Sequence, residues 1–164
     1  MPAASRQVRE ELRTFFDQYT ARFNEALEGS PDLDGIAAQY AATFMAAGPQ
    51  GVAAGQNDGA FLDVLRQGFE QYRRIGTKRM TVRAVEVTAI DGQHALARIA
   101  YRASYIRPAD GEPIEIDFEV TYLLQHQERW RIFAFIVGDE EALYREYGLM
   151  PSDTPPEDRP AEAL

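Results

Sequence analysis

The spacing of apolar residues changes once along the chain, near residue 77, and this change restricts the folds that the sequence can adopt. Between Val8 and Leu27, apolar residues recur every three or four positions, which is typical of one face of an amphipathic helix. Between residues 114 and 124 they largely alternate with polar residues, which is typical of a strand with one buried face. Helices followed by strands, with no alternation between the two, predict an α+β domain.

Three helices are predicted in the first half of the chain. The first covers residues 8–27, the second covers residues 31–44, and the third carries an apolar stripe from Phe61 to Tyr72. The glycine-rich stretch at residues 46–59 predicts a loop with room for one short strand. We therefore expect helices to supply most of the first half.

Four strands are predicted in the second half, at residues 78–90, 94–107, 114–126 and 129–138. The connections between them are short, and the first contains Asp-Gly, a strong hairpin signal. Strands joined in this way form an antiparallel meander, so we expect the three helices to pack on one antiparallel sheet. A short C-terminal helix is predicted at residues 139–147.

Composition excludes several classes of protein. The 164 residues are 45% hydrophobic and include no cysteine, which allows one real core but no disulfide scaffold, cysteine-based zinc site or cysteine nucleophile. The net charge of −9 argues against binding to nucleic acid, which needs a basic surface. No apolar run approaches the roughly 18 residues of a membrane span, and the N-terminus lacks the apolar core of a signal peptide. A cytoplasmic, bacterial-type protein without membrane attachment is expected.

Most of the negative charge lies at the C-terminus. Residues 139–164 hold eight acids and two bases and therefore account for −6 of the total. Residues 151–164 contain four prolines and little that is apolar, so they are predicted to form a disordered, solubilising tail. The predicted organisation is one domain at residues 1–150 followed by this acidic tail.

The strand alternation also predicts which side chains face the helices. Pairing through the turn at residues 108–113 sets Val120 near Tyr101, which turns the odd-numbered residues from Ala95 to Tyr105 inward. On the third strand the predicted inward face carries Ile114, Ile116, Phe118, Val120, Tyr122 and Leu124.

The last strand is apolar on both faces. Phe133, Phe135 and Val137 are predicted to point inward. The outer face of this strand is also apolar, and an apolar sheet face should not stay exposed to water. It is therefore predicted to form a homodimer interface or to be covered by the C-terminal helix. The residues of this predicted interface are Leu123, Trp130, Ile132, Ala134 and Ile136.

Several segments together resemble the NTF2-like superfamily, in its SnoaL-like branch. They are FFDQYTARFNEAL at residues 15–27, IAAQYAATF at 36–44, AAGPQGV at 46–52 and FEVTYLLQHQERWRIFAFI at 118–136. The resemblance covers about residues 8–147 and consists of residue types and spacing rather than a catalytic signature. It implies a cone-shaped fold with a curved sheet and a pocket between the sheet and the helices.

The resemblance also implies a ligand site in that cone. A pocket that is apolar but offers several tyrosine hydroxyls suits a small, mostly hydrophobic ligand, and a cone simply filled by these aromatic side chains is the alternative. The residues expected to line it are Tyr19, Phe23, Tyr40, Phe44, Phe69, Tyr101, Tyr105, Phe118, Tyr122, Phe133 and Phe135.

Enzymes of the superfamily provide three alternatives to simple ligand binding. An isomerase needs a carboxylate base beside the pocket, and no Asp or Glu is predicted on the inward strand faces. A dehydratase or cyclase would use buried histidine with aspartate, but His94 and His126 are both predicted at strand ends.

An epoxide-hydrolase-like enzyme needs an arginine between two carboxylates. Arg98, Arg102, Asp117 and Glu119 have the right chemistry, yet their positions predict the outward sheet face, with Arg102 about opposite Glu119. The change of phase near Ala84–Val85 predicts a bulge there, and a change of register would turn these four residues inward.

No metal or cofactor is expected, since no His, Asp or Glu spacing matches a metal site. Gly48, Gly51 and Gly55 do not match a phosphate-binding loop. A non-catalytic dimerisation module is the remaining alternative.

Overall fold

The first helix supplies the long apolar stripe that covers the sheet. The computed structural model describes residues 4–150, so the predicted tail at residues 151–164 lies outside the described residues. Helix α1 spans Arg6–Leu27, and the Ser5 side chain caps it by accepting a hydrogen bond from the backbone N–H of Val8 at 3.2 Å. Its buried residues recur every three or four positions, which confirms the predicted first helix: Leu12, Phe15, Phe16, Tyr19, Thr20, Phe23, Ala26 and Leu27.

The predicted second helix is mostly wrong. Helix α2 spans only Leu33–Ala37, and it is followed by strand β1 at Tyr40–Gly48 and strand β2 at Gly51–Gln56. Tyr40 and Phe44 are four residues apart, and this spacing puts them on one face of a strand as well as on one face of a helix. The glycine-rich stretch expected to be a loop thus forms most of a β-hairpin.

Helix α3 spans Gly59–Arg74 and matches the third predicted helix. The Asp58 side chain caps it by accepting from the backbone N–H of Phe61 at 3.2 Å. The chain then turns at Gly76, whose φ of 91° lies in the left-handed region. This turn leads directly into the sheet.

Four long strands and one short helix complete the chain: β3 at Thr77–Ala89, β4 at His94–Ile106, β5 at Pro113–Gln127, β6 at Arg129–Val137 and α4 at Glu140–Glu146. The sheet order is β2-β1-β6-β5-β4-β3, and every neighbouring pair is antiparallel except β1 with β6. The predicted meander and α+β architecture are confirmed, and β1 and β2 extend the sheet beyond the four predicted strands.

The pairing of β4 with β5 differs from the predicted register by two residues. Tyr101 lies opposite Phe118, and Arg102 lies opposite Asp117 rather than Glu119. A shift of two residues preserves the side-chain faces, so the predicted inward set stays inward. On β3 the register shifts between Val82 and Ala84, beside the predicted bulge.

A bulge in β6 overturns part of the predicted last strand. Leu124 pairs with Ile132 while Leu123 pairs with Ala134, so Phe133 is an extra residue on β6. The extra residue reverses the alternation, and Ile132 is therefore fully buried on the helix side, together with half-buried Trp130. The predicted outward position of Trp130 and Ile132 is wrong, whereas Ala134 and Ile136 follow the predicted phase.

The core divides into two clusters. The larger lies between α1, α3 and the sheet, and the smaller contains Ile75, Tyr105 and Tyr144 beside α4. Tyr72 and Phe118 pack against both clusters. None of the helices in the described part of the chain has the length and apolar character that crossing a membrane requires.

We predict that Gly76→Ala destabilises the protein by about 2–3 kcal/mol, because the left-handed backbone disfavours a side chain and a Cβ there would overlap the carbonyl oxygen of Ile106. Urea denaturation measures the change. Gly92→Ala is the control, since a Cβ at Gly92 meets no atom within 4 Å. Equal stabilities of the two variants would contradict the prediction.

Candidate functional site

Four buried tyrosines from four different elements form two hydrogen-bonded pairs. The hydroxyl oxygens of Tyr19 on α1 and Tyr40 on β1 are 2.9 Å apart, and those of Tyr101 on β4 and Tyr122 on β5 are 2.8 Å apart. All four side chains are only 1–2% exposed. The rings of Tyr19 and Tyr122 make edge contact at 6.2 Å between centroids, so the two pairs are neighbours. We call these four residues the tyrosine cluster.

Burial keeps the tyrosine cluster protonated. The pKa of Tyr19 rises to about 12, mainly because burial disfavours the phenolate, although the hydrogen bond with Tyr40 lowers it. Burial likewise raises the pKa values of Tyr40, Tyr101 and Tyr122 well above their usual range. At neutral pH every member therefore retains an O–H that can donate a hydrogen bond.

Helix α4 closes one end of this interior. The ring of Tyr144 packs edge-on against Tyr105 at 6.2 Å between centroids. Glu140 precedes Tyr144 by four residues, so the two side chains lie on the same face of α4. Asp139 caps the helix through the backbone N–H of Ala142 at 3.0 Å and thereby fixes the start of α4. Glu140 is half-buried at this position.

The carboxylate of Glu140 influences the tyrosines around it. After burial, its negative charge also raises the pKa values of Tyr19, Tyr101, Tyr105 and Tyr144. The Glu140 carboxylate therefore lies near the end of the interior that α4 closes. Sequence reasoning missed Glu140 because acids in the first turn of a helix are already explained by the helix dipole. Its spacing of four residues from Tyr144 is the signal that would have found it.

Most of the predicted site residues lie in the interior. Phe118 is half-buried and stacks on Tyr101 at 5.3 Å between centroids. Phe133 does not belong with them, because it contacts His94 at 6.1 Å on the sheet face opposite the helices. The other predicted residues are at most 4% exposed: Tyr19, Phe23, Tyr40, Phe44, Phe69, Tyr101, Tyr105, Tyr122 and Phe135. Aromatic neighbours that the sequence did not single out are Phe16, Phe61, Tyr72 and Tyr144.

The outward sheet face carries the arginine–carboxylate group. Arg102 donates two hydrogen bonds to Asp117, at 2.7 and 3.0 Å, and Arg98 contacts Glu119 at 3.1 Å. The side chains of Arg102 and Glu119 are 41% and 61% exposed. These residues form exposed cross-strand ion pairs, as their predicted face implied, so they do not support an epoxide-hydrolase site.

The two histidines lie near strand ends, as predicted. The His94 Nδ1 atom is 2.8 Å from the Asp91 carboxylate, and the His126 ring contacts Trp130 at 5.1 Å between centroids. Neither contact involves the tyrosine cluster. Across residues 4–150, no group of three or more His, Asp or Glu side chains is arranged to hold a metal ion.

An α+β chain with helices on one face of a curved, unclosed sheet has the cystatin-like fold of the NTF2-like proteins. Residues 9–140 match the model of DUF6841, an NTF2-like family, and the chain belongs to that family. The predicted resemblance to the NTF2-like superfamily is thereby confirmed. No curated protein matches the sequence.

Solved structures agree with this fold. Aln2 from a Streptomyces species is 15% identical, with a TM-score of 0.64 over 88% of this chain and 99% of that one. An NTF2-like protein from Novosphingobium aromaticivorans is 17% identical, with a TM-score of 0.61 over 87% and 88% of the two chains. A ketosteroid isomerase-like protein from Erwinia carotovora atroseptica is 17% identical, with a TM-score of 0.59 over 82% and 97%. At these identities the likeness shows the fold alone.

We predict that Tyr101→Phe and Tyr122→Phe each lower the free energy of unfolding by about 1–2 kcal/mol, because each removes the buried hydrogen bond between the two hydroxyls. The double variant should lose less than the sum, since it removes both hydroxyls together. Urea denaturation of the four proteins measures this coupling.

Tyr147→Phe is the matched control, because Tyr147 is 37% exposed and its change should be within about 0.5 kcal/mol. Additive losses in the double variant would show that the two hydroxyls do not depend on each other.

Proposed function

We propose that this protein binds a small, mostly apolar molecule with at least one hydrogen-bonding oxygen, in the interior between the helices and the sheet beneath α4. The observation that carries the proposal is the set of four paired tyrosine hydroxyls buried among aromatic side chains, with the half-buried Glu140 near them on α4. An interior that only had to be filled would be served equally well by phenylalanine, which has no hydroxyl to desolvate.

The chemistry of the tyrosine pairs limits the ligand. Each tyrosine hydroxyl can both donate and accept, so a ligand oxygen could take the place of one hydroxyl as the acceptor of a hydrogen bond within the cluster. A carbonyl, ether or phenolic oxygen of the ligand would serve as that acceptor. The Glu140 carboxylate would accept a hydrogen bond from a ligand hydroxyl at the other end of the site. The aromatic side chains around them would contact the apolar body.

A second candidate function is acid–base catalysis at the same site. Isomerisation needs a carboxylate that takes a proton and a neutral donor that stabilises the resulting oxyanion. Glu140 has the first property, and the protonated tyrosines have the second. The sequence prediction found no inward carboxylate on the strands, and α4 supplies one from outside them.

We expect wild-type protein to gain thermal stability from one member of a panel that contains a steroid ketone, an aromatic polyketide and a long-chain fatty acid. Glu140→Gln should weaken that ligand's affinity at least tenfold, by about 1.4 kcal/mol or more, because a neutral amide is a poorer acceptor than a carboxylate. Thermal-shift assays and calorimetry measure both effects.

Glu146→Gln is the matched control, because it removes a carboxylate from the exposed end of the same helix. Absence of stabilisation by the whole panel counts against the ligand classes proposed. Unchanged affinity in Glu140→Gln would remove Glu140 from the site and leave the tyrosine cluster to bind the ligand.

We infer a homodimer from the sheet face opposite the helices. Met45 on β1 and Ile136 on β6 are 43% and 52% exposed, and Leu123 and Ala134 lie beside them on paired strands. Exposed ion pairs such as Arg98–Glu119 flank this apolar patch and would form a polar rim. A twofold contact would bring the same patch of two copies together.

The cytoplasmic location and bacterial origin stay predictions of the sequence.

Ile136→Glu should convert the dimer to a monomer, because it places a charge in the centre of the apolar patch. Sedimentation velocity at micromolar concentration measures the change. Ile90→Glu is the control, since Ile90 is 38% exposed just past the end of β3. A wild-type protein that sediments as a monomer would refute the dimer.

A further inference from the structure

An open groove with a volume of about 740 Å³ lies where β1 and β6 meet α2. It is separate from the apolar patch of Met45 and Ile136, and the tyrosine cluster contributes only Tyr40 to its lining. Its volume is within the range of small-molecule sites. The groove is therefore a second candidate site on the same domain.

A break in the pairing of β1 with β6 opens the groove. Tyr40 pairs with Ile132 and the next pair is Met45 with Ala134, so β1 advances five residues while β6 advances two. The extra length of β1 bows away from β6. The side chains that line this part of the groove are small and leave it unfilled: Ala37, Ala38, Ala41 and Ala42.

Two arginines border the groove on β6. Arg129 and Arg131 alternate along the strand, so both point to the same face, roughly 7 Å apart. Among residues 4–150 neither forms an ion pair, whereas Arg83, Arg98 and Arg102 on the same sheet each contact a carboxylate. The groove also contains one carboxylate, that of Asp34. Its two guanidinium groups outnumber that acid, which favours an anionic ligand.

A hydrogen-bonded chain orients a third polar side chain in the groove. The Asp91 carboxylate can only accept a hydrogen bond, so the Nδ1 atom of His94, 2.8 Å away, must be the donor. A neutral imidazole carries only one N–H, and the Nε2 atom of neutral His94 is therefore an acceptor. The Gln125 Nε2 atom donates to that nitrogen at 3.1 Å. This bond engages the amide nitrogen of Gln125 and leaves its oxygen to accept from a ligand.

We propose that this groove binds a small molecule with a flat apolar body and a terminal carboxylate or phosphate. The alanine side chains offer an apolar contact for a ring, and the rest of the lining is polar, with Thr43 and Asn57 among it. The planar guanidinium groups of Arg129 and Arg131 match the geometry of either oxyanion and can bind it through paired hydrogen bonds. Binding in this groove does not require the ligand that we propose for the tyrosine cluster.

Calorimetry with phenyl phosphate, benzoate and uncharged benzyl alcohol tests the proposal on the full chain. We expect saturable binding of at least one of the two anions, at least tenfold tighter than that of benzyl alcohol. The double variant Arg129→Gln/Arg131→Gln should lose that difference. Arg83→Gln/Arg98→Gln, which removes two arginines that already have carboxylate partners, should change the affinity less than twofold.

Two further measurements separate this groove from the other proposed sites. Glu140→Gln should leave anion binding unchanged, because Glu140 does not line the groove. Anion binding that persists in Arg129→Gln/Arg131→Gln overturns the proposal, as does the absence of saturable binding of both anions. A double variant that loses the dimer but keeps its anion affinity would assign the arginines to the subunit interface and overturn it as well.

Discussion

The need to pair buried hydroxyls ties together four different elements of this fold. Tyr19 on α1 meets Tyr40 on β1, and Tyr101 on β4 meets Tyr122 on β5, each pair separated by 21 residues. A shift of α1 or of any of the three strands would leave hydroxyl oxygens unpaired. A hydroxyl that is buried without a partner costs about 1–3 kcal/mol of stability. The tyrosine cluster thereby couples the position of α1 to the register of the sheet.

Helix α4 gives this interior a charge that the sheet does not supply. A half-buried carboxylate near protonated phenols is more than the filling of a core requires, because each polar group loses hydration on burial. The sheet's other face has a different chemistry, with an apolar patch, exposed ion pairs and an arginine-bordered groove. The interior, the apolar patch and the groove share no residue except Tyr40, which belongs to the tyrosine cluster and also lines the groove.

Prediction succeeded where neighbouring residues in the sequence determine the outcome. The stripe of α1 and the inward face of β4 and β5 follow from local periodicity, and an error of two residues in register left those faces intact. It failed where one pattern fits two structures, as at Tyr40 and Phe44, whose spacing suits both a helix and a strand. The prediction also failed at Phe133, which is an extra residue in β6. The strand residues that precede Phe133 therefore face the opposite side of the sheet from the one that alternation predicts.

The sequence by itself determined the α+β class, the order of helices and long strands, and the aromatic character of the interior. Tertiary structure decided that β1 pairs with β6, that Trp130 and Ile132 face the helices, and that α4 packs its Tyr144 against Tyr105. The physical reason is the range of the interactions involved. Periodicity records which face of a segment avoids water, whereas strand partners, bulges and the docking of α4 depend on hydrogen bonds and contacts between segments far apart in the chain.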